Sequence, residues 1–244
     1  MYISGLIKTE RGKRNMERLH EELDMDGDGY QRIQQFITDS TWDSFGLMRQ
    51  AAQNTSKLYS IQPCYDVKDA GCVIDESARL KKGKDSAGVS RQYAGVKGKV
   101  DNCQVGVYAS LVRQNYTSLV NCRLFVPESW SEDKVKCVKA GIPEDKREHK
   151  TKLEPALEML RSDIDAGVRF GWVGGDGFYG HGCELNYAVE DMGLTFLFDI
   201  HNDQAIYEEE PEILIPEKES IKGRIPTLPR TLAKSIKVRD YKAG

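Results

Sequence analysis

The 244-residue sequence lacks the features that mark membrane, secreted and zinc-binding proteins. It has no apolar run near the roughly 18 residues that a membrane-spanning helix needs, and its first residues do not form a secretory signal. Its six cysteines include no Cys-x-x-Cys pair, and its four histidines add no metal-ligand spacing. We therefore expect a cytoplasmic protein with no membrane partner, whose cysteines are reduced thiols packed as small apolar side chains.

A strong net charge is also missing, since the formal value of -3 excludes a chain that is basic throughout. The charge is nevertheless segregated. One central stretch contains a single acid, Asp85, among seven basic residues: Arg79, Lys81, Lys82, Lys84, Arg91, Lys97 and Lys99. Such a patch can hold the phosphates of a polyanion, so these seven are candidate DNA-binding residues; the alternative is a solvated face.

The sequence pattern predicts that residues 1–62 form a helical region. Apolar residues recur at intervals of three and four between Lys13 and Leu58, which is typical of amphipathic helices, and three short helices fit. We expect Asp39 or Ser40 to cap the third helix, since a side-chain oxygen there can accept free amide hydrogens.

The segment from Asp24 to Tyr30 matches the first half of a calcium-binding EF-hand loop. The twelfth position of such a loop supplies a bidentate carboxylate, and here that position is Gln35. We therefore expect a polar loop between two helices and not a calcium site.

The sequence pattern predicts that residues 63–204 form an α/β region. The expected strands are Gly71–Glu76, Cys103–Leu111, Ser118–Val126, Val168–Val173 and Thr195–Ile200, with a turn at Gln114-Asn115. Helices are expected from Leu153 to about Gly167 and from Glu184 to Met192. This β-β-β-α-β-α-β order predicts a mixed sheet with helices on its faces, in which the first and fourth strands lie side by side.

That adjacency bears on two acids. Asp75 is expected at the C-terminal end of the first strand and Asp176 just past the end of the fourth, so parallel neighbours would bring both carboxylates to one edge. Paired carboxylates bind hard cations, and two cations about 4 Å apart stabilise both oxygens of a phosphoryl displacement. The pair favours a nuclease or strand-transfer enzyme; the alternative is that both aspartates only cap strand ends or turns.

A nucleotide-dependent oxidoreductase is a rival interpretation. Gly175-x-Gly177-x-x-Gly180 matches the dinucleotide-binding fingerprint, and Asp199 stands about where a ribose-binding acid belongs. The charge of Asp176 between the first two glycines opposes pyrophosphate binding, however. The fingerprint also usually opens its domain, whereas here it follows three strands and a helix.

Several longer blocks of sequence carry a resemblance to a known family. They are Tyr2–Leu6, Tyr30–Ile37, Asp39–Asp43, Ile74–Ser77, Lys81–Ser86, Gly88–Tyr93, Gly98–Val107, Leu124–Trp130, Lys150–Glu154 and Asp176–Gly180. Together they resemble bacterial insertion-sequence transposases of the DDE superfamily. The resemblance covers nearly the whole chain up to about Gln204.

This resemblance implies a ribonuclease H-like fold in residues 63–204, with Asp75 and Asp176 as the first two catalytic, metal-binding carboxylates. It implies Mg²⁺ or Mn²⁺ as cofactor and double-stranded DNA, at element ends and target, as partner. Residues 1–62 become a candidate DNA-contacting region. We further expect the protein in the bacterial cytoplasm, associated with the nucleoid when it is bound to DNA; a homodimer is possible, and the sequence does not settle the oligomeric state.

The sequence departs from the family pattern in two places. Ala78 and Arg79 stand where the family has a glycine and an aromatic residue. The family's third carboxylate lies in a Tyr-x-x-Arg-x-x-x-Glu-x-x-x-x-x-x-Lys motif, which this sequence lacks; Tyr207 is followed three residues later by Glu210.

The missing motif leads to an expectation about the whole chain. Residues 205–244 are interpreted as an irregular tail or the start of an inserted segment, and the chain as an incomplete copy. Glu184 or Glu190 could substitute for the third carboxylate, but the spacing of the sequence favours neither. A catalytically inactive DNA-binding remnant is therefore the main alternative to an active transposase.

Overall fold

The computed structural model describes residues 2–10, 15–215 and 227–241. The chain divides into two compact units, residues 1–47 and 48–244. Within the described ranges, every helix is too short or too polar to span a membrane.

The first unit is helical. It contains α1 (Tyr2–Lys8), α2 (Met16–Glu22), α3 (Gly29–Thr38) and the start of α4 (Ser44–Ser60). Helices α2 to α4 confirm the three predicted helices, whereas α1 was not predicted. The segment that resembles a calcium loop forms the turn between α2 and α3, and its last two residues, Gly29 and Tyr30, open α3.

The start of α4 shows that the predicted cap was wrong. Helix α3 runs through Thr38, so Asp39 is its C-terminal cap, and its amide donates to the carbonyl of Gln35. Ser40 lies in the connection between the helices. The carboxylate of Asp43 accepts a hydrogen bond from the amide of Gly46 at 2.8 Å, and therefore caps the start of α4 instead.

The second unit is built on a mixed sheet. Its strands are β1 (Ala70–Leu80), β2 (Ser90–Ala94), β3 (Lys99–Arg113), β4 (Tyr116–Leu124), β5 (Trp172–Gly175) and β6 (Thr195–Phe198). Its further helices are α5 (Glu128–Ser131), α6 (Lys134–Lys139), α7 (Leu153–Asp165), α8 (Gly177–Gly180) and α9 (Cys183–Asp191).

The strand order across the sheet is β4-β3-β1-β5-β6, and β2 pairs with the first residues of β3. β1 is antiparallel to β3 and parallel to β5, which confirms the predicted neighbours. β2 was not predicted. β1 continues to Leu80, four residues beyond its predicted end at Glu76, so Asp75 lies inside this strand and not at its C-terminal end.

One face of the sheet carries the main core. Every second residue of β3 from Cys103 to Arg113 is buried on this face, together with Cys72 and Ile74 of β1. Helices α4, α7 and α9 contribute to the same cluster. Because side chains alternate along a strand, Asp75 lies on the opposite face.

The cysteines agree in part with the expectation. Cys72, Cys103 and Cys137 are buried, while Cys64 and Cys183 are exposed, and all six thiols are free. The three buried thiols are therefore the ones that pack as small apolar side chains.

The tail forms short strands in its described residues. β7 (Ala205–Ile206) pairs with β10 (Ile236–Lys237), and β8 (Ile213–Leu214) pairs with β9 (Arg230–Thr231), both antiparallel.

Candidate functional site

The pairing of β1 with β5 positions the two predicted aspartates. The last residues that pair between the two strands are Ile74 and Gly175, so Asp75 is the next residue of β1 and Asp176 is the first residue after β5. Adjacent strands lie about 4.8 Å apart, and residues in register share a face of the sheet. Both aspartates are exposed.

Each aspartate uses one carboxylate oxygen in a local hydrogen bond. Oδ1 of Asp75 accepts from the amide of Glu76 at 2.7 Å, and Oδ1 of Asp176 accepts from the amide of Phe178 at 3.0 Å. The second bond makes Asp176 the N-cap of α8. Within the described ranges, neither carboxylate forms an ion pair with a lysine or arginine.

The electrostatics of Asp75 reflect this proximity. Although the Asp75 side chain is exposed, partial loss of hydration raises its pKa above the ordinary value, the amide of Glu76 opposes that shift, and the negative charges of Asp176 and Glu76 raise the pKa further. Two carboxylates that repel each other without a local basic partner are a suitable donor set for a hard divalent cation.

Glu76 adopts a different environment from its neighbour. Its carboxylate accepts hydrogen bonds from Nζ of Lys152 at 2.6 Å and from the hydroxyl of Tyr179 at 3.1 Å. Tyr179 is fully buried, and Lys152 also lies over the rings of Phe178 and Phe125, at 5.2 and 5.8 Å. Sequence reasoning did not select these residues, although all three of Glu76, Lys152 and Tyr179 lie in blocks that carried the family resemblance.

The glycine-rich turn is shaped by close packing. A Cβ atom on Gly180 would lie 2.3 Å from the carbonyl oxygen of Asp199, so only glycine fits there without a shift. The helix that follows β5 has only four residues, and its first turn is capped by the carboxylate of Asp176. The position that a pyrophosphate would take in a dinucleotide fold is thus used by the chain's own acid.

Five of the seven basic candidates lie on the Asp75 face or in the loop beside it. Arg79 and Arg91 lie on the same face as Asp75, because Arg79 pairs with Gln104 and Arg91 with Asn102 across β3. Lys81, Lys82 and Lys84 lie in the loop between β1 and β2, which we call the basic loop (residues 81–89).

Lys97 and Lys99 are placed differently. Lys97 forms an ion pair with Asp101 at 2.7 Å, and Lys99 pairs with the buried Ala94, on the face opposite Asp75. The structure therefore brings five of the seven basic residues to one face or to its connecting loop and leaves these two apart.

Side-chain amides on the Asp75 face fasten the basic loop. Nδ2 of Asn102 donates to the carbonyls of Lys81 and Gly83 at 2.7 and 2.9 Å. Nε2 of Gln104 donates to the carbonyl of Ala87 at 2.7 Å, and the indole of Trp130 donates to Val89 at 2.8 Å. The loop thus has a fixed base while its lysines at 82 and 84 remain exposed.

A third carboxylate does not join the pair in the described part of the chain. Within it, no group of three His, Cys, Asp or Glu side chains is arranged to hold a metal ion. Glu184 and Glu190 are exposed on α9.

A mixed sheet of three antiparallel strands continued by two parallel ones, with helices packed on it, defines the class of ribonuclease H-like α/β proteins and agrees with the expected fold. The sequence identifies the family within that class. A family model described as DDE superfamily endonuclease matches residues 1–242, and the chain belongs to this family.

A curated relative supports the same assignment. It is the probable transposase for insertion sequence element IS701 of Microchaete diplosiphon, 27% identical over 180 residues. The match covers 73% of this chain and 43% of the relative, so the chain spans less than half the length of that protein.

Two solved structures show a more distant likeness. The Mos1 mariner paired end complex with Mn is 9% identical with a TM-score of 0.28, and covers 80% of this chain and 57% of its own. The Drosophila P element transposase strand transfer complex is 10% identical with a TM-score of 0.25, and covers 76% and 37%. The family assignment rests on the sequence matches and not on these structures.

Proposed function

We propose that this chain is the DNA-binding and cation-binding part of an insertion-sequence transposase. In this proposal Asp75 and Asp176 hold Mg²⁺ or Mn²⁺, and double-stranded DNA lies along the same face over the basic loop. The observation that carries the proposal is the register of Ile74 with Gly175, because it brings the two aspartates together from positions 101 residues apart in the sequence.

The donor set fits a hard cation. Both groups are carboxylates, each has an oxygen outside its local hydrogen bond, and each is exposed to an incoming ligand. A cation bound there would offset the repulsion between the two carboxylates, which adds to the effect of desolvation in raising the pKa of Asp75. When bound, such ions polarise a phosphoryl group and activate the attacking oxygen.

The arrangement of positive charge supports a DNA path from the aspartates toward the basic loop. Arg79 lies four residues beyond Asp75 on the same strand and face, which is about 13 Å at roughly 3.3 Å per residue. Arg91 extends this face onto β2, and Lys82 and Lys84 project from the loop between the two strands. Phosphate contacts of this type position DNA without reading its sequence.

Cation-dependent DNA binding tests the proposal. Fluorescence anisotropy with a labelled 30-base-pair duplex would be measured with and without Mn²⁺ for the wild type, Asp75→Asn and Asp176→Asn. We expect Mn²⁺ to raise the affinity of the wild type for DNA, because the cation would link the carboxylates to a phosphate. The DNA affinity of both variants should not change when Mn²⁺ is added. Equal Mn²⁺ effects in all three proteins would contradict the proposal.

A DNA-binding remnant without cleavage activity is the second candidate. It is favoured by one observation, that the described residues contain no group of three acidic, histidine or cysteine side chains arranged around a metal. Both candidates require the same DNA path, and they differ only in whether DNA strands are cut.

A further inference from the structure

A continuous series of hydrogen bonds joins the two aspartates through residues that need not contact a cation. The amide of Glu76 donates to Asp75, and the carboxylate of Glu76 accepts from the hydroxyl of Tyr179. The amide of Tyr179 in turn donates to the backbone carbonyl of Asp176 at 3.1 Å. The series therefore begins at one candidate metal ligand and ends at the other.

The hydroxyl of Tyr179 is the long-range connection in this series. Tyr179 and Glu76 are 103 residues apart, and Tyr179 is fully buried, so its hydroxyl needs a partner inside the protein. Burial raises the pKa of Tyr179 far above its ordinary value, and the carboxylate of Glu76 acts in the same direction. The hydroxyl thus stays protonated and donates.

The backbone hydrogen bonds around Asp176 join its turn to α8 and to the residue after β6, but, among the residues that the structure describes, none of them joins it to β1. β5 ends at Gly175, and α8 is a helix of four residues between two short connections. The tyrosine hydroxyl fixes α8 to β1, one residue beyond Asp75. A shift of α8 along β1 would move Asp176 relative to Asp75 and would break this bond.

We propose that Tyr179 is a positioning residue which, through Glu76, fixes Asp176 relative to Asp75, so that both carboxylates would be in place to hold a divalent cation. This inference rests on the proposed function, because it concerns the same two aspartates. Metal ligands held by such outer partners lose affinity when the partner is removed.

An ion pair with Lys152 keeps the carboxylate of Glu76 away from the two aspartates. The ion pair at 2.6 Å is about three-quarters buried, since the two side chains are 20% and 24% exposed. With one oxygen bound to Lys152 and the other to Tyr179, Glu76 is held on the core side of the strand, away from Asp75. Glu76 therefore supports the pair and does not serve as the third ligand.

The test measures Mn²⁺ binding, with the free ion followed by its electron paramagnetic resonance signal, and thermal stability in parallel. Tyr179→Phe keeps the buried ring and removes only the hydroxyl. Tyr59→Phe is the matched control, because Tyr59 is also buried and its hydroxyl bonds to the carbonyls of Leu111 and Tyr116, at the far end of the sheet hairpin. Asp75→Asn reports whether the site exists.

We expect Tyr179→Phe to bind Mn²⁺ about tenfold more weakly than the wild type, within the range seen when a ligand's outer partner is lost. Tyr59→Phe should bind as the wild type even if its melting temperature falls as much. Unchanged binding in Tyr179→Phe, or equal weakening in Tyr59→Phe, would overturn the inference.

A double-mutant comparison tests whether the hydroxyl acts through Glu76. In a Glu76→Ala background the hydroxyl has lost its acceptor, so adding Tyr179→Phe should weaken Mn²⁺ binding no further. Additive losses would overturn the inference. If wild type and Asp75→Asn bind Mn²⁺ alike, the proposed site itself is absent and the inference falls with it, which is a different result from a failure of Tyr179 alone.

Discussion

Asp75 and Asp176 are the first residues beyond the last paired positions of two neighbouring parallel strands. Their surroundings differ. β1 continues for five residues past Asp75 and stays paired with β3, whereas β5 ends at Gly175 and the chain turns into α8. The carboxylate of Asp75 therefore belongs to a continuous strand, and that of Asp176 to a capped turn. The distance between the two carboxylates depends on the contacts that hold this turn in place.

Removing charge from the basic loop should change the salt dependence of DNA binding. Lys82→Ala/Lys84→Ala should lower the slope of log affinity against log salt by about 2 units, since each lost phosphate contact removes about 0.9. Anisotropy titrations of one duplex across a series of salt concentrations measure this slope.

The matched control for that prediction is Lys97→Ala/Lys99→Ala, which removes the same formal charge. Lys97 already pairs with Asp101, and Lys99 lies on the other face of the sheet, so the slope should stay close to that of the wild type. Equal losses of slope in the two double variants would show that overall charge, and not the loop, binds the DNA.

Asn102 should control the order of the basic loop. Asn102→Ala removes two hydrogen bonds to loop carbonyls, and should lower the free energy of unfolding by about 1–3 kcal/mol. Amide hydrogen exchange in residues 82–88 should become faster, while exchange in β5 stays unchanged. Asn115→Ala, in the exposed hairpin turn, serves as the control; loop exchange that does not respond to Asn102→Ala would refute the fastening role.

The buried Asp163 should give the protein a distinctive pH dependence. Its side chain is 1% exposed, it accepts a hydrogen bond from Asn121, and burial raises its pKa to about 6. The folded state therefore holds the proton more tightly than the unfolded state. This contribution to stability is complete below about pH 4 and is lost as the pH rises through 6.

Asp163→Asn isolates this effect because it removes the titration and keeps the shape. Relative to the variant, the free energy of unfolding of the wild type should fall by about 1 kcal/mol between pH 5 and pH 7. Urea unfolding of both proteins at several pH values measures the difference. Parallel pH profiles would mean that Asp163 titrates at its ordinary value.

The chain by itself should not cut DNA. In-line phosphoryl displacement needs two cations held in place, and the described residues bring no third ligand to the two aspartates, which leaves one cation poorly held. Displacement by about 1 Å can already reduce a rate about a hundredfold. Supercoiled plasmid incubated with Mn²⁺ should be nicked no faster by the wild type than by Asp176→Ala; faster nicking that depends on Asp176 would mean that the chain contains its own third ligand.

The sequence was a good guide where a pattern is local. The strand alternation from Cys103 to Leu111 and the turn at Gln114-Asn115 predicted the central hairpin, and the order of elements predicted that β1 and β5 would be neighbours. Boundaries were less accurate. β1 runs past Glu76 because its polar residues pair with β3 while facing solvent, and β2 is too short and polar to show a clear alternation.

The contacts that Glu76 makes could not be predicted from the sequence. Lys152 and Tyr179 lie 76 and 103 residues from Glu76, and no local period relates them. The resemblance blocks included all three residues but did not say that they meet. The separation of the basic residues between the two faces of the sheet could not be predicted either. It depends on which residue of β3 each one pairs with.

The proposed function depends on a divalent cation that Asp75 and Asp176 bind together. Its most direct test is a calorimetric Mn²⁺ titration of the wild type, Asp75→Asn, Asp176→Asn and Asp199→Asn, the last being an exposed acid at the end of the neighbouring strand β6. We expect weak binding at one site in the wild type and in Asp199→Asn, and loss of most of that binding in each of the other two variants. Equal binding in all four proteins would contradict it.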